Sequence, residues 1–230
     1  MLNEIEEAKF RELKDKCREL KVPAPPEIMI GLQVRDKDGV LIFDDVQRGH
    51  SWTRNFWNFL FCNTTVPTAA GASFAAGYMT HKSPAGSVAV SYLNHVNDRF
   101  TGLFAGLVSD ATYGIVVGTD ATAFSVEQYD LVAKIAQGTG AGQFSHAAGV
   151  VDAGVYTAGT KTWKTTQYRI FNNNSGGSVT VAEVGMIANA SGTVVPFLFE
   201  RSVLSPTVAV ANGAQLTVTY EISMDFSAID

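Results

Sequence analysis

Few side chains in this sequence have chemistry to offer. Asp36 with Asp38, and Asp44 beside Asp45, have the residue types of a glycosidase acid pair or a calcium site, both of which need carboxylates that converge. Neighbouring strand residues point to opposite faces, so these acids read instead as turn and edge residues. His50, His81, His95 and His146 lack the close spacing of a zinc site, and no His-Glu-x-x-His or Cys-x-x-Cys occurs. A metal assembled from distant histidines, or shared across a symmetry axis, is what those histidines leave open. The run Gly138-Thr139-Gly140-Ala141-Gly142 suggests a nucleotide cradle, but Gln143 stands where the dinucleotide fingerprint needs its third glycine and no Lys-Ser/Thr follows. It reads as a flexible loop. With no Gly-x-Ser-x-Gly elbow there is no acyl-transfer nucleophile either. The expectation is a protein with no catalytic residue, cofactor or metal.

Three constellations suggest contact rather than catalysis. Phe10, Leu13, Cys17 and Leu20 recur at spacings of 3, 4 and 3, a narrow apolar seam on a helix. Such a seam suits one partner: the same helix in other subunits, a groove on a neighbour, or its own domain. Arg169 and Glu183 flank a turn-rich stretch in an otherwise apolar, Thr-rich hairpin, where an opposed pair would fix register; the alternative is a contact to another subunit. Trp52, Phe56, Trp57 and Phe59 have the faces to stack on sugars, but their helical spacing favours a buried core.

The elements that carry these residues divide the chain unevenly. Residues 2–21 hold 12 of the 39 charged side chains, six acidic and six basic, and the other 210 residues hold 27. Asn3 can cap a helix over 3–21, with acids early and bases late along its dipole. Pro23-Ala24-Pro25-Pro26 then ends it and makes a stiff spacer. The organisation expected is an amphipathic helix at 1–22, a Pro-rich linker at 23–27 and a β-rich body at 28–230, which divides, if at all, into 28–112 and 113–230. In that body Ile28–Val34 and Val40–Phe43 read as strands around an Asp38-Gly39 turn. Ser51 caps an internal helix within 48–62, and residues 63–112 read as short strands and long loops. Tyr113–Val117 is a buried strand; Tyr168–Phe171 and Val179–Val184 form a hairpin; Val194–Phe199 is a strand; and Val208–Ala211 pairs with Leu216–Phe226 through Asn212-Gly213. The alternation from Leu216 to Phe226 is the firmest signal. The fold class expected is mainly β: an antiparallel β-sandwich or jelly-roll-like body with an N-terminal helix, a Pro-rich arm and one internal helix.

A net charge of −5 gives no electrostatic reason to bind nucleic acid, and no apolar run reaches the roughly 20 residues that span a bilayer. No secretory signal is visible, so Asn63-Thr64-Thr65, Asn173-Asn174-Ser175 and Asn189-Ala190-Ser191 are chance glycosylation matches. Cys17 and Cys62 read as free, buried thiols.

From Tyr113 onward an ordered series of turn and strand features stands out. It runs Gly114-Ile-Val-Val-Gly118-Thr119, Tyr129-Asp130-Leu131 with Ile135, Gly138 to Gln143, and Arg169-Ile-Phe171-Asn172. It continues with Ser175-Gly-Gly-Ser-Val-Thr-Val-Ala-Glu183-Val-Gly185, Arg201, and Asn212-Gly213 before Leu216-Thr-Val-Thr-Tyr220. Over about residues 113–226 this resembles structural proteins of tailed-bacteriophage particles. The resemblance implies a non-enzymatic, β-rich virion component, made in the host cytoplasm and repeated around a symmetry axis as head decoration, neck or collar, tail or fibre. Its partners would be itself, as a trimer or higher homo-oligomer, and other virion proteins, with neither nucleic acid nor membrane. The leading helix lies outside the pattern and would dock on a neighbouring subunit. The alternatives are a receptor- or glycan-binding fibre module, whose partner is a host-surface glycan, and a hydrolase of cell-surface polymers.

Overall fold

The computed structural model describes residues 4–49, 51–62, 80–90, 104–189 and 196–227. The chain opens with helix α1 (Glu4–Leu20), followed by strands β1 (Glu27–Arg35) and β2 (Leu41–Gly49) and helix α2 (Arg54–Cys62). A small hairpin of β3 (Thr80–Lys82) and β4 (Val88–Val90) precedes β5 (Gly114–Gly118) and three short strands, β6 (Ser145–His146), β7 (Val150–Val151) and β8 (Val155–Thr157). Four long strands complete it: β9 (Thr162–Asn172), β10 (Val179–Ala188), β11 (Phe197–Val210) and β12 (Gln215–Asp225). The protein is thus mainly β, with antiparallel sheets and, among the described residues, two helices, as its alternation and turn signals predict.

Two sheets enclose the core. The larger runs β2-β1-β12-β9, with β6, β7 and β8 pairing in succession along the far edge of β9; the smaller runs β11-β10-β5. Period-two sequence explains the layering. Ile28, Ile30, Leu32 and Val34 of β1 and Leu216, Val218 and Tyr220 of β12 are fully buried on one face. They meet Val181, Val184 and Met186 of β10, Val208 and Val210 of β11, and Ile115 and Val117 of β5. Each such side chain contributes about 1.5–3 kcal/mol by leaving water. Because β1 pairs with β12 over nine residues and β12 with β9, β1 and β2 share one sheet with β9 and β12, and one core with β10 and β11 of the other sheet.

Two predicted hairpins are not hairpins. β9 pairs with β12 while β10 pairs with β11 and β5, so the turn at 173–178 crosses from one sheet to the other. The Asn212-Gly213 turn likewise carries the chain from β11 in the small sheet to β12 in the large one. These two crossings lie side by side. Asn173 is fully buried and donates to Gly177 O (2.8 Å) and Val210 O (2.7 Å), Gly213 N donates to Asn173 O (2.7 Å), and Gly176 N to Asn212 Oδ1 (2.9 Å). The reason is burial: two strands with strongly apolar faces gain more by stacking those faces across layers than by lying edge to edge.

The helices follow expectation with one shift. Arg48 and Gly49 extend β2, and α2 begins at Arg54, so Ser51 is not its cap. Thr53 precedes the helix instead, its amide bonded to Phe199 O and its hydroxyl to Leu198 O, which anchors α2 to β11. Among the described residues no helix is long and apolar enough to cross a bilayer.

Candidate functional site

The seam on α1 divides when the helix meets its own body. Phe10 lies under the Arg48 guanidinium, 4.0 Å from ring centroid to Cζ, and Cys17 is buried, whereas Leu13 and Leu20 stay 41% and 72% exposed. Arg48 clamps the joint. Its Nε donates to Glu7 Oε1 (2.8 Å) and its Nη1 to Glu27 Oε1 (2.5 Å), while Lys14 reaches Glu27 Oε2 (2.7 Å). Those bonds hold the Glu7 carboxyl below its usual range; burial works against the charge on Arg48, but Glu7 and Glu27 together raise its pKa. One side of the predicted seam is therefore used in cis. The other side, with Ile5 (67% exposed) added, faces outward.

Arg169 and Glu183 do not pair. They sit on strands of different sheets, and each has a separate partner set. Arg169 is fully buried and spends its guanidinium on five backbone carbonyls: Ala147 from Nε (2.9 Å), Tyr113 and Ile115 from Nη1 (3.1 and 3.0 Å), Leu107 and Asp110 from Nη2 (2.7 and 2.5 Å). Five donors meet five acceptors, so the charge is solvated by dipoles alone. A Cβ at residue 106 would lie 2.7 Å from Arg169 Nη1, which is why glycine stands there. Burial pulls the pKa of Arg169 down, with Asp110 opposing.

Glu183 faces the other way, toward the segment that covers the outside of the small sheet. It accepts from Arg201 Nε (2.5 Å) and from the amides of Ala133 (2.8 Å) and Val132 (3.2 Å). Arg201, equally buried, continues to Thr122 O (3.0 Å) and Gln128 Oε1 (3.2 Å), with Asp120 3.8 Å from Nη2. The register pairs Gly185 with Arg201, and the missing side chain at Gly185 admits Leu131 over the sheet. Sequence reasoning had no partner for Arg201. The signal was present, since a guanidinium among the apolar residues of Phe197–Val203 must be buried with hydrogen-bonding partners.

Back to back with Arg201, Glu200 points into the core. It accepts from the hydroxyls of Tyr220 (2.7 Å) and Ser202, and burial lifts its carboxyl to about 7. Gln167 of β9 lies opposite Tyr220 and donates to Met186 Sδ (2.9 Å), its Oε1 buried without a hydrogen-bond partner. His146 shares Asp110 O with Arg169 through Nδ1 (3.3 Å) and packs edge-on against Phe171; burial lowers its pKa to about 4.

The remaining candidates resolve simply. Asp36 closes the 36–40 turn, accepting from Asp38 N and Val40 N (both 2.9 Å). Asp44 bonds Gln33, while Asp45 sits opposite the inward-facing Leu32. The glycine run is a tight loop in which Gln143 Oε1 folds back onto Gly140 N (2.9 Å). Trp52 stacks on Phe56 at 3.8 Å and Phe56 meets Phe199 edge-on, so this pair is core; Trp57 is half-exposed. His50 and His95 and the side chains of His81, Phe59 and Cys62 lie outside the described residues. No group of three or more His, Cys, Asp or Glu among the described residues could hold a metal ion. Apolar side chains do stand exposed in rows: Leu41, Ile42 and Val46 on β2, and Val150, Val151, Val155 and Tyr156 on β7 and β8, at the two edges of the large sheet. Compared with protein-family models, with curated proteins and with solved structures, the chain matches none.

Proposed function

We propose that this chain is a non-enzymatic structural subunit of a tailed-phage particle, working by symmetric protein–protein contact. One observation carries the assembly half of that reading: apolar side chains are left exposed along β2, along β7 and β8, and on the outer flank of α1. Exposed edge strands with apolar side chains are templates for pairing with another chain. The buried charges, by contrast, serve the fold, since Arg169 ties down a loop and Glu183 with Arg201 fastens the outer segment. The phage assignment rests on the ordered strand and turn pattern of residues 113–226. The leading helix keeps a docking role, revised to its outer flank: Leu13 and Leu20, with Ile5, would meet the neighbour while Phe10 and Cys17 hold the helix to its own sheet.

Light scattering on the purified chain tests the reading. The expected result is a trimer or higher species that Leu13→Glu with Leu20→Glu reduces in size without lowering the melting temperature. A monomer at every accessible concentration would overturn it.

A second reading, recognition of a host-surface glycan, has its own support. Tyr156 and Trp163 are cross-strand partners, 55% and 36% exposed, with the backbone of Gly154 against the indole. Specific hits on a glycan array that vanish in Tyr156→Ala and Trp163→Ala would favour it.

A further inference from the structure

Two carboxylates among the described residues are fully buried, and they are treated differently. Glu183 meets a guanidinium and two amides. Glu200 meets only two neutral hydroxyls, Ser202 from its own strand and Tyr220 from β12 across the core.

Among the described residues no cation bonds to it; Arg201 acts on it only through the sheet. On β11 the neighbouring Arg201 turns to the opposite face and is engaged by Glu183. β9 brings Gln167, neutral, and Arg169, whose donors are all taken by carbonyls; β10 brings Met186. β12 brings Tyr220, and Trp52, which bridges Glu200, is uncharged. The other acid on the inner face is Asp45 of β2. The two hydroxyls give each oxygen of the ionised form a donor but bring no charge, so ionising Glu200 costs the water its charge would otherwise have around it.

We propose that Glu200 is a proton-operated lock between the two sheets: the dry layer between β11 and β12 accepts it as the neutral acid, and loss of its proton puts a charge there and weakens the packing. Burial raises its carboxyl to about 7, so the working range lies around neutrality. The lock concerns the subunit itself and holds whatever assembly it enters.

The test compares urea unfolding of the full chain with Glu200→Gln from pH 4 to pH 8. Other titrating groups, His146 among them, cancel in the ratio of the two unfolding constants. That ratio, wild type over variant, is expected to rise about 300-fold across the range. A ratio that stays flat would overturn the proposal. Should Glu200→Gln not fold, Tyr220→Phe and the carboxyl carbon signal of Glu200 by NMR decide it. The wild-type signal should titrate around neutrality and move higher in Tyr220→Phe, which loses a donor to the anion; a wild-type midpoint in the ordinary carboxylate range sinks the lock.

Discussion

Arg201→Met would strand the Glu183 carboxylate with only two amides in a dry layer, and a broken buried ion pair costs about 3–5 kcal/mol. Urea unfolding should show that loss, and Glu183→Gln added to Arg201→Met should recover part of it. Arg169→Lys keeps a charge but has three donors for five carbonyls, so about 2–4 kcal/mol should go the same way. His146 supplies a signed pH effect. Its folded pKa lies near 4, below the ordinary 6.5, so the stability it contributes is complete above 6.5 and disappears as pH falls through 4. The loss is about 3 kcal/mol by linkage, and a His146→Asn chain should lack it in melts across that window. Glu200 runs in the opposite direction, losing stability as pH rises from 4.5 through about 7, so the two partly cancel in the wild type. At this scale the sequence was least legible. Arg169 and Glu183 stood out as rare charges among apolar residues, and they are buried, but proximity along the chain suggested the wrong partner.

For the elements, the paired crossings depend on one side chain. Asn173→Ala removes the donor to Gly177 O and Val210 O in a buried place and should cost about 2–3 kcal/mol, measured as a fall in the urea midpoint. The α1 joint is fastened by part-buried ion pairs around Arg48, so Arg48→Ala should free the helix and speed tryptic cleavage at Lys14 and Lys16 while the sheets remain folded. Which elements exist was readable because period two and period 3.6 are local properties: α1, β1, β5 and β12 fall within a residue or two of their expected bounds. How they pair was not. A run such as Asn172 to Gly177 or Asn212-Gly213 specifies a sharp reversal, and the same turn serves a hairpin or a crossing between layers. The choice is made by whole faces, when the apolar rows of β10 and β11 stack on those of β1 and β12. The division of the helix seam was hidden for a similar reason, since nothing in residues 4–20 announces that Arg48, far along the chain, will cover Phe10.

On the scale of the whole molecule, the large sheet presents an apolar edge at each end and the small sheet is covered outside by the segment around Leu131. Placing Lys at Ile42 and at Val155 should leave the monomer folded, as neither side chain is in the core, and should lower the assembled fraction in sedimentation runs if those edges are the contacts proposed. The same sheet has a further implication for synthesis. β1 is held between β2 and β12, and about 180 residues separate it from that second neighbour. At about 5–20 residues per second a nascent chain would carry β1 with one side unpaired for roughly ten to forty seconds before β12 leaves the ribosome. During translation Ile28, Ile30, Leu32 and Val34 have no finished layer to enter, so the cell must keep a sticky hairpin from its neighbours on the polysome until the last strand arrives.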